Sequence, residues 1–214
     1  MQIFRLIGLA LVLMCGACQS QQSTAHHEPG VALLVMGDSL SAGYGIDPSK
    51  GWVSLMEQDM RDQAVLIDGQ TIVNASISGE TSQGGLERLP ELLQEHQPRI
   101  VAIELGANDM LRRQPMNTLK SNLKTMIELS QQAGAKVVLI NVELPFIAQL
   151  AGTQLEQVYE EVAKEAKVPV IDYPLGSLFN KQGMMLPDRL HPTEAAQEGL
   201  KEAMAPSLIK IVQE

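Results

Sequence analysis

The sequence predicts an α/β fold, a doubly wound parallel sheet of five strands with helices on both faces, and three observations carry that prediction. Short runs at residues 31–36, 71–77, 100–105, 137–142 and 168–171 are nearly continuously apolar, as strands covered on both faces are. Amphipathic stretches of helical period separate them, and such alternation implies right-handed crossovers in one sheet. No internal repeat and no second linker interrupts residues 31–214, so the span reads as one domain of ordinary size.

The first residues stand outside this pattern. Arg5 precedes an apolar run at 6–14 that is too short to span a bilayer and closes on Cys15-Gly16-Ala17-Cys18. Residues 1–17 therefore read as an export signal. Small residues before a cysteine resemble the lipobox at which bacterial lipoproteins are cleaved and lipidated, which makes Cys18 the expected lipidation site. Cys15 replaces the usual leucine there, so ordinary cleavage after Ala17 or Ala25 stands as the alternative. Residues 18–30 are polar and lack periodicity, a flexible tether whose His26-His27 pair has no third metal ligand nearby. The expected location is the periplasm, with a membrane reached only through that lipid.

In chain order, the first strand runs into Gly37-Asp38-Ser39-Leu40 and the second into Ser78-Gly79-Glu80-Thr81. Leu86, Leu89, Leu92 and Leu93 then mark a helix in which Pro90 is expected to cause a kink or restart. The third strand exits into Gly106-Ala107-Asn108-Asp109. Leu119, Leu123, Met126 and Ile127 mark a helix ending before Gly134, and Leu155, Val158, Tyr159, Val162 and Ala166 another ending before Pro169. Asp188-Arg189-Leu190-His191-Pro192 precedes a closing helix from about Thr193, which Pro206 is expected to break.

Sixteen Lys and Arg against 25 Asp and Glu, a formal charge of -9, offer no basic face for phosphates and exclude a nucleic-acid partner. Both cysteines lie within the first eighteen residues, so no disulfide framework holds the domain. Ligands of open α/β sheets sit beyond the carboxyl ends of the strands, where a hydroxyl, a glycine, a side-chain amide, a carboxylate and an imidazole gather here. Acyl transfer needs that set. Ser39 is the candidate nucleophile, His191 its base and Asp188 the carboxylate orienting the imidazole. The Ser39 N–H, the Gly79 N–H and the Asn108 amide are the candidate oxyanion donors. The competing structural roles are helix capping for Ser39 and Asp188, and burial as a core residue for His191. Thr193 is better placed than Asp188 to cap the last helix. Asp38 and Asp109 are read as supports for their loops. No dinucleotide or phosphate glycine loop, no His-Glu-x-x-His and no Gly-x-Ser-x-Gly is present, so no cofactor and no metal are expected.

These blocks, in this order, resemble the SGNH hydrolases, or GDSL esterases, whose marker residues correspond to Ser39, Gly79, Asn108 and His191. The similarity extends over the whole domain and is greatest to the bacterial thioesterase I, arylesterase and lysophospholipase group. It implies a three-layer flavodoxin-like fold and metal-free hydrolysis of esters or thioesters through an acyl-serine. Ala107 stands where relatives often carry a second glycine, which bears on the loop holding Asn108. Acyl-chain contacts are expected from Met110, Leu111, Phe146, Ile147 and Met185, with the sheet-covering core as their alternative role. Arg112 and Arg113 are candidates for an anionic headgroup. A small-molecule or lipid acyl ester is the expected partner, and the chain is expected to act as a monomer. Removal of acetyl groups from carbohydrate, and lipid binding without catalysis, are the alternative functions.

Overall fold

The computed structural model describes residues 30–144 and 152–214. The export signal, Cys18 and the tether up to Pro29, with Phe146 and Ile147, lie outside the described residues. The elements are β1 (Gly30–Gly37), α1 (Ser39–Ala42), α2 (Trp52–Asp62), β2 (Gln70–Asn74), α3 (Ser82–His96), β3 (Ile100–Glu104), α4 (Ala107–Leu111), α5 (Met116–Gln132), β4 (Lys136–Val142), α6 (Gly152–Ala166), β5 (Val170–Tyr173) and α7 (Glu194–Gln213). All strand pairs are parallel, in the order β2-β1-β3-β4-β5. One helix layer contains α3, α5 and α6, the other α2 and α7. Leu33 to Met36 on β1 and Val101 to Ile103 on β3 are fully buried, as the unbroken apolar runs require. The strand order reverses between β1 and β3. Such a switch point opens a crevice at the carboxyl ends of its two strands.

Local expectations are corrected at five places. α3 runs unbroken through Pro90 and α7 through Pro206. Both prolines are exposed, so neither ring takes a place in the core and each helix continues past it. β2 ends at Asn74 rather than at Ile77. The Asn74 side chain bonds locally there, its Nδ2 donating to the Ser41 carbonyl at 2.8 Å and its Oδ1 accepting the Ser76 N–H at 3.2 Å, while the Ala75 and Ile77 N–H groups still reach the Val35 and Gly37 carbonyls of β1 at 2.9 and 3.1 Å. β5 starts after Pro169, which has no N–H for the ladder. Thr193 occupies the N-cap position of α7 but does not cap it, because its hydroxyl donates to the Gly183 carbonyl at 2.7 Å.

Asp109, buried at the start of α4, ties that helix to α3. Its carboxylate accepts the Ser82 N–H at 2.8 Å and the Ser82 hydroxyl at 2.5 Å, and Asn122 on α5 donates to the same hydroxyl oxygen at 2.9 Å. Asp109→Ala strands two buried donors. A loss of about 2–4 kcal/mol in urea unfolding is expected, and a loss below about 0.5 kcal/mol would remove Asp109 from this structural role.

Candidate active site

A pocket of about 350 Å³ opens at the switch point, walled by the exits of β1, β2 and β3 and by the loop before α7. Ser39 begins α1, with Asp38 as N-cap accepting the Leu40 N–H at 3.0 Å. N–H groups in a first helical turn have no partner within their helix, so the Ser39 N–H is available to a ligand. The Ser39 Oγ lies 2.8 Å from the His191 Nε2, and the His191 Nδ1 lies 2.8 Å from the Asp188 Oδ2.

The loop carrying Asp188 and His191 is held by its own backbone. Leu186 N–H donates to the His191 carbonyl, Arg189 N–H to the Leu186 carbonyl, and Thr193 N–H to the Met184 carbonyl, all at 2.8–2.9 Å. The Asp188 Oδ1 accepts the N–H groups of Leu190 and His191 at 2.9 and 3.1 Å. Burial raises the Asp188 carboxyl, but the hydrogen bonds from the His191 ring and these two N–H groups outweigh it and hold the group below its ordinary value. An ionised Asp188 accepts the Nδ1 proton. That leaves Nε2 as an acceptor aimed at the Ser39 hydroxyl, the tautomer a general base needs. The Tyr44 ring stacks on the imidazole with centroids 4.4 Å apart.

Gly79 and Asn108 face the same pocket as Ser39. The Asn108 Nδ2 donates to the Asp38 Oδ2 at 2.9 Å, which fixes the amide. Burial pushes the Asp38 carboxyl up to about 6, against the lowering effects of the Leu40 N–H, His191 and Asn108. The positive φ beside Ala107 is taken by Gly106, at 126°, so Ala107 adopts helical geometry as the first residue of α4. The loop carrying Asn108 therefore accommodates the alanine.

Not all the expected substrate contacts meet. Leu111 lines the pocket with 43% of its surface exposed, whereas Met110 is buried beneath α4 and Met185 packs against the core. Leu144, in the apolar run after the fourth strand that the sequence offers as acyl-chain lining, does line the pocket, as do Leu40, Tyr44 and Leu190, single residues on loops or short turns with no periodicity to expose them. The Arg112 Nη2 donates to the Gly79 carbonyl at 2.6 Å and so borders the pocket mouth.

The chain and its fold have relatives among known proteins. Residues 35–198 match the model of the GDSL-like lipase/acylhydrolase family. The chain is 41% identical over 203 residues to "Esterase TesA" of Pseudomonas aeruginosa, covering 94% of both chains. It is 37% identical over 182 residues to "Thioesterase 1/protease 1/lysophospholipase L1" of Escherichia coli K12, covering 84% of both. The crystal structure of the psychrotrophic esterase EstA from Pseudoalteromonas sp., inhibited by monoethylphosphonate, superposes with a TM-score of 0.78 at 32% identity, over 86% of this chain and all of that one. By the match to its family model and by relatives aligned along most of their length, this chain belongs to the GDSL-like lipase/acylhydrolase family.

Proposed function

We propose that this protein is a serine esterase that hydrolyses acyl esters and thioesters through an acyl-serine intermediate. One observation carries the proposal: the unbroken hydrogen-bonded relay from the Ser39 Oγ through His191 to Asp188 at the floor of an open pocket. The Ser39 hydroxyl gives its proton to the His191 Nε2 as Oγ bonds to the substrate carbonyl carbon. The resulting oxyanion is received by the N–H groups of Ser39 and Gly79 and by the Asn108 amide. His191 passes the proton to the leaving alcohol or thiol, whose bond to carbon breaks. Water then gives a proton to His191 and attacks the acyl-serine, and the proton returns to the Ser39 Oγ as the carboxylic acid departs.

The walls support an acyl chain of moderate length, since Leu40, Tyr44, Leu111, Leu144 and Leu190 present apolar surface while polar groups converge only near Ser39. Residues 31–214 act as the hydrolase domain, working as a monomer, and residues 1–30 export and tether it, with Cys18 as the lipid-bearing residue. A series of p-nitrophenyl esters and acyl-CoA thioesters from acetyl to palmitoyl tests the substrate class. The expected result is kcat/KM at least about tenfold higher for butyryl to octanoyl chains than for acetyl, from about 0.8 kcal/mol per buried methylene. Preference for acetyl would favour the deacetylating alternative, and no turnover of any ester would favour lipid binding without catalysis.

A further inference from the structure

The buried strand β3 ends in an acid. Ile100 to Ile103 are apolar and buried, and Glu104 follows them with no exposed surface at all. Its Oε2 accepts the Ser41 hydroxyl at 2.8 Å and the Asp38 N–H at 3.3 Å. Those two residues flank Ser39. The chain crosses so closely over this carboxyl that a Cβ on Gly37 would stand 2.6 Å from Oε2 and 2.8 Å from the Ser41 Cβ, so only glycine fits there. Asp38 in turn holds the Asn108 amide at 2.9 Å.

We propose that Glu104 is a positioning residue for catalysis: its Oε2 pins both flanks of the turn that carries Ser39 and, through Asp38, sets the Asn108 amide. The inference rests on Ser39 as nucleophile and Asn108 as oxyanion donor. Glu104 does this as a neutral acid. Among the described residues no cationic side chain forms an ion pair with it, and the groups around it are the Asp38 carboxyl, the Ser41 hydroxyl and the phenols of Tyr159 and Tyr173. Burial first, and the adjacent Asp38 second, push its carboxyl well above the ordinary range. Two neighbouring buried carboxyls do not both ionise readily, and Asp38 has the donors that favour charge. The Glu104 Oε1, buried with no hydrogen-bond partner among the described residues, is the oxygen left to carry the proton, while Oε2 remains the carbonyl oxygen that accepts two bonds.

The test compares Glu104→Gln, which is neutral and keeps an accepting oxygen, with Glu104→Leu, which has none. Both are assayed on a p-nitrophenyl ester beside wild type and Ser39→Ala, with melting temperatures recorded. Glu104→Leu is expected to lower kcat about ten- to a hundredfold with KM within about twofold, and Glu104→Gln to stay within about threefold of wild type. A folded Glu104→Leu with wild-type kcat overturns the proposal, as does a Glu104→Gln that falls as far as Glu104→Leu. Should Glu104→Leu not fold, Ser41→Ala decides: it removes one of the two pinning bonds, and kcat reduced about three- to tenfold supports the proposal whereas unchanged kcat overturns it. Residual wild-type turnover in Ser39→Ala would identify the acyl-serine mechanism, rather than Glu104, as the failed premise.

Discussion

Ser39→Ala is expected to lower kcat at least about 10⁴-fold on any ester this protein turns over, with the melting temperature unchanged within about two degrees. Among the described residues the Ser39 hydroxyl has one hydrogen-bonded partner, the His191 Nε2, at 2.8 Å, and the side chain is only partly buried, so its removal leaves no stranded core group. The substituted site keeps the Gly79 N–H, the Asn108 amide and the imidazole. Without an Oγ it forms no covalent intermediate, and hydrolysis falls to what binding and the oxyanion donors supply to a direct attack by water. A fluorophosphonate, which transfers its phosphonyl group to an activated serine with loss of fluoride, is expected to label wild type stoichiometrically and Ser39→Ala not at all. Turnover within tenfold of wild type in the alanine variant would rule out the acyl-serine route, and labelling of the variant would place the nucleophile elsewhere. KM is the less informative parameter here, because acylation and deacylation both contribute to it in the wild type and only direct hydrolysis does in the variant.

What the sequence discloses and what it hides follow from the range of the interactions involved. The strands were legible because burial on both faces forces apolar runs, and the site blocks because acyl transfer confines serine, histidine and acid to a few roles at strand ends. The helices do not restart at Pro90 or break at Pro206, because the cost of an interior proline is set against the packing of the whole helix, which no local pattern shows. The end of regular β2 coincides with Asn74 reaching the carbonyl of Ser41, thirty-three residues away in sequence, a contact no local pattern shows. The direction of Met110 into the core and Leu111 out to the pocket is set within the five residues of α4, too few for a period to show. Glu104 did leave a signal: one acid in the run Ile-Val-Ala-Ile-Glu-Leu, where a buried strand has no place for an unpartnered charge.

On the acid side of pH 6 the enzyme is expected to lose activity through Asp38 while its fold gains stability. His191 accepts the Ser39 proton only as a neutral imidazole, so its protonation removes the base. Asp38 adds an acid-side loss of its own, because burial pushes its carboxyl up to about 6 from 3.8. A proton on Asp38 occupies one of the two oxygens that accept from Leu40 and Asn108, and so weakens the hold on the Asn108 amide. For stability the sign is opposite. Between about pH 4 and 6 the folded chain binds the Asp38 proton and the unfolded chain does not, so this group's contribution is present at the acid end and is lost as pH rises through 6. A shift of this size corresponds to at most about 3 kcal/mol. Glu104, pushed upward by burial, acts in the same direction. Asp188 is held below its ordinary value, so its contribution is lost only as pH falls below about 4, outside this window. The expected observation is an acid limb of log(kcat/KM) that is steeper in wild type than in Asp38→Asn, with a wild-type melting temperature that rises from pH 6 to 4.5. Asp38→Asn should also flatten that rise in melting temperature. An acid limb as steep in Asp38→Asn as in wild type, or a wild-type melting temperature that falls in step with activity, would show that Asp38 does not titrate in this window.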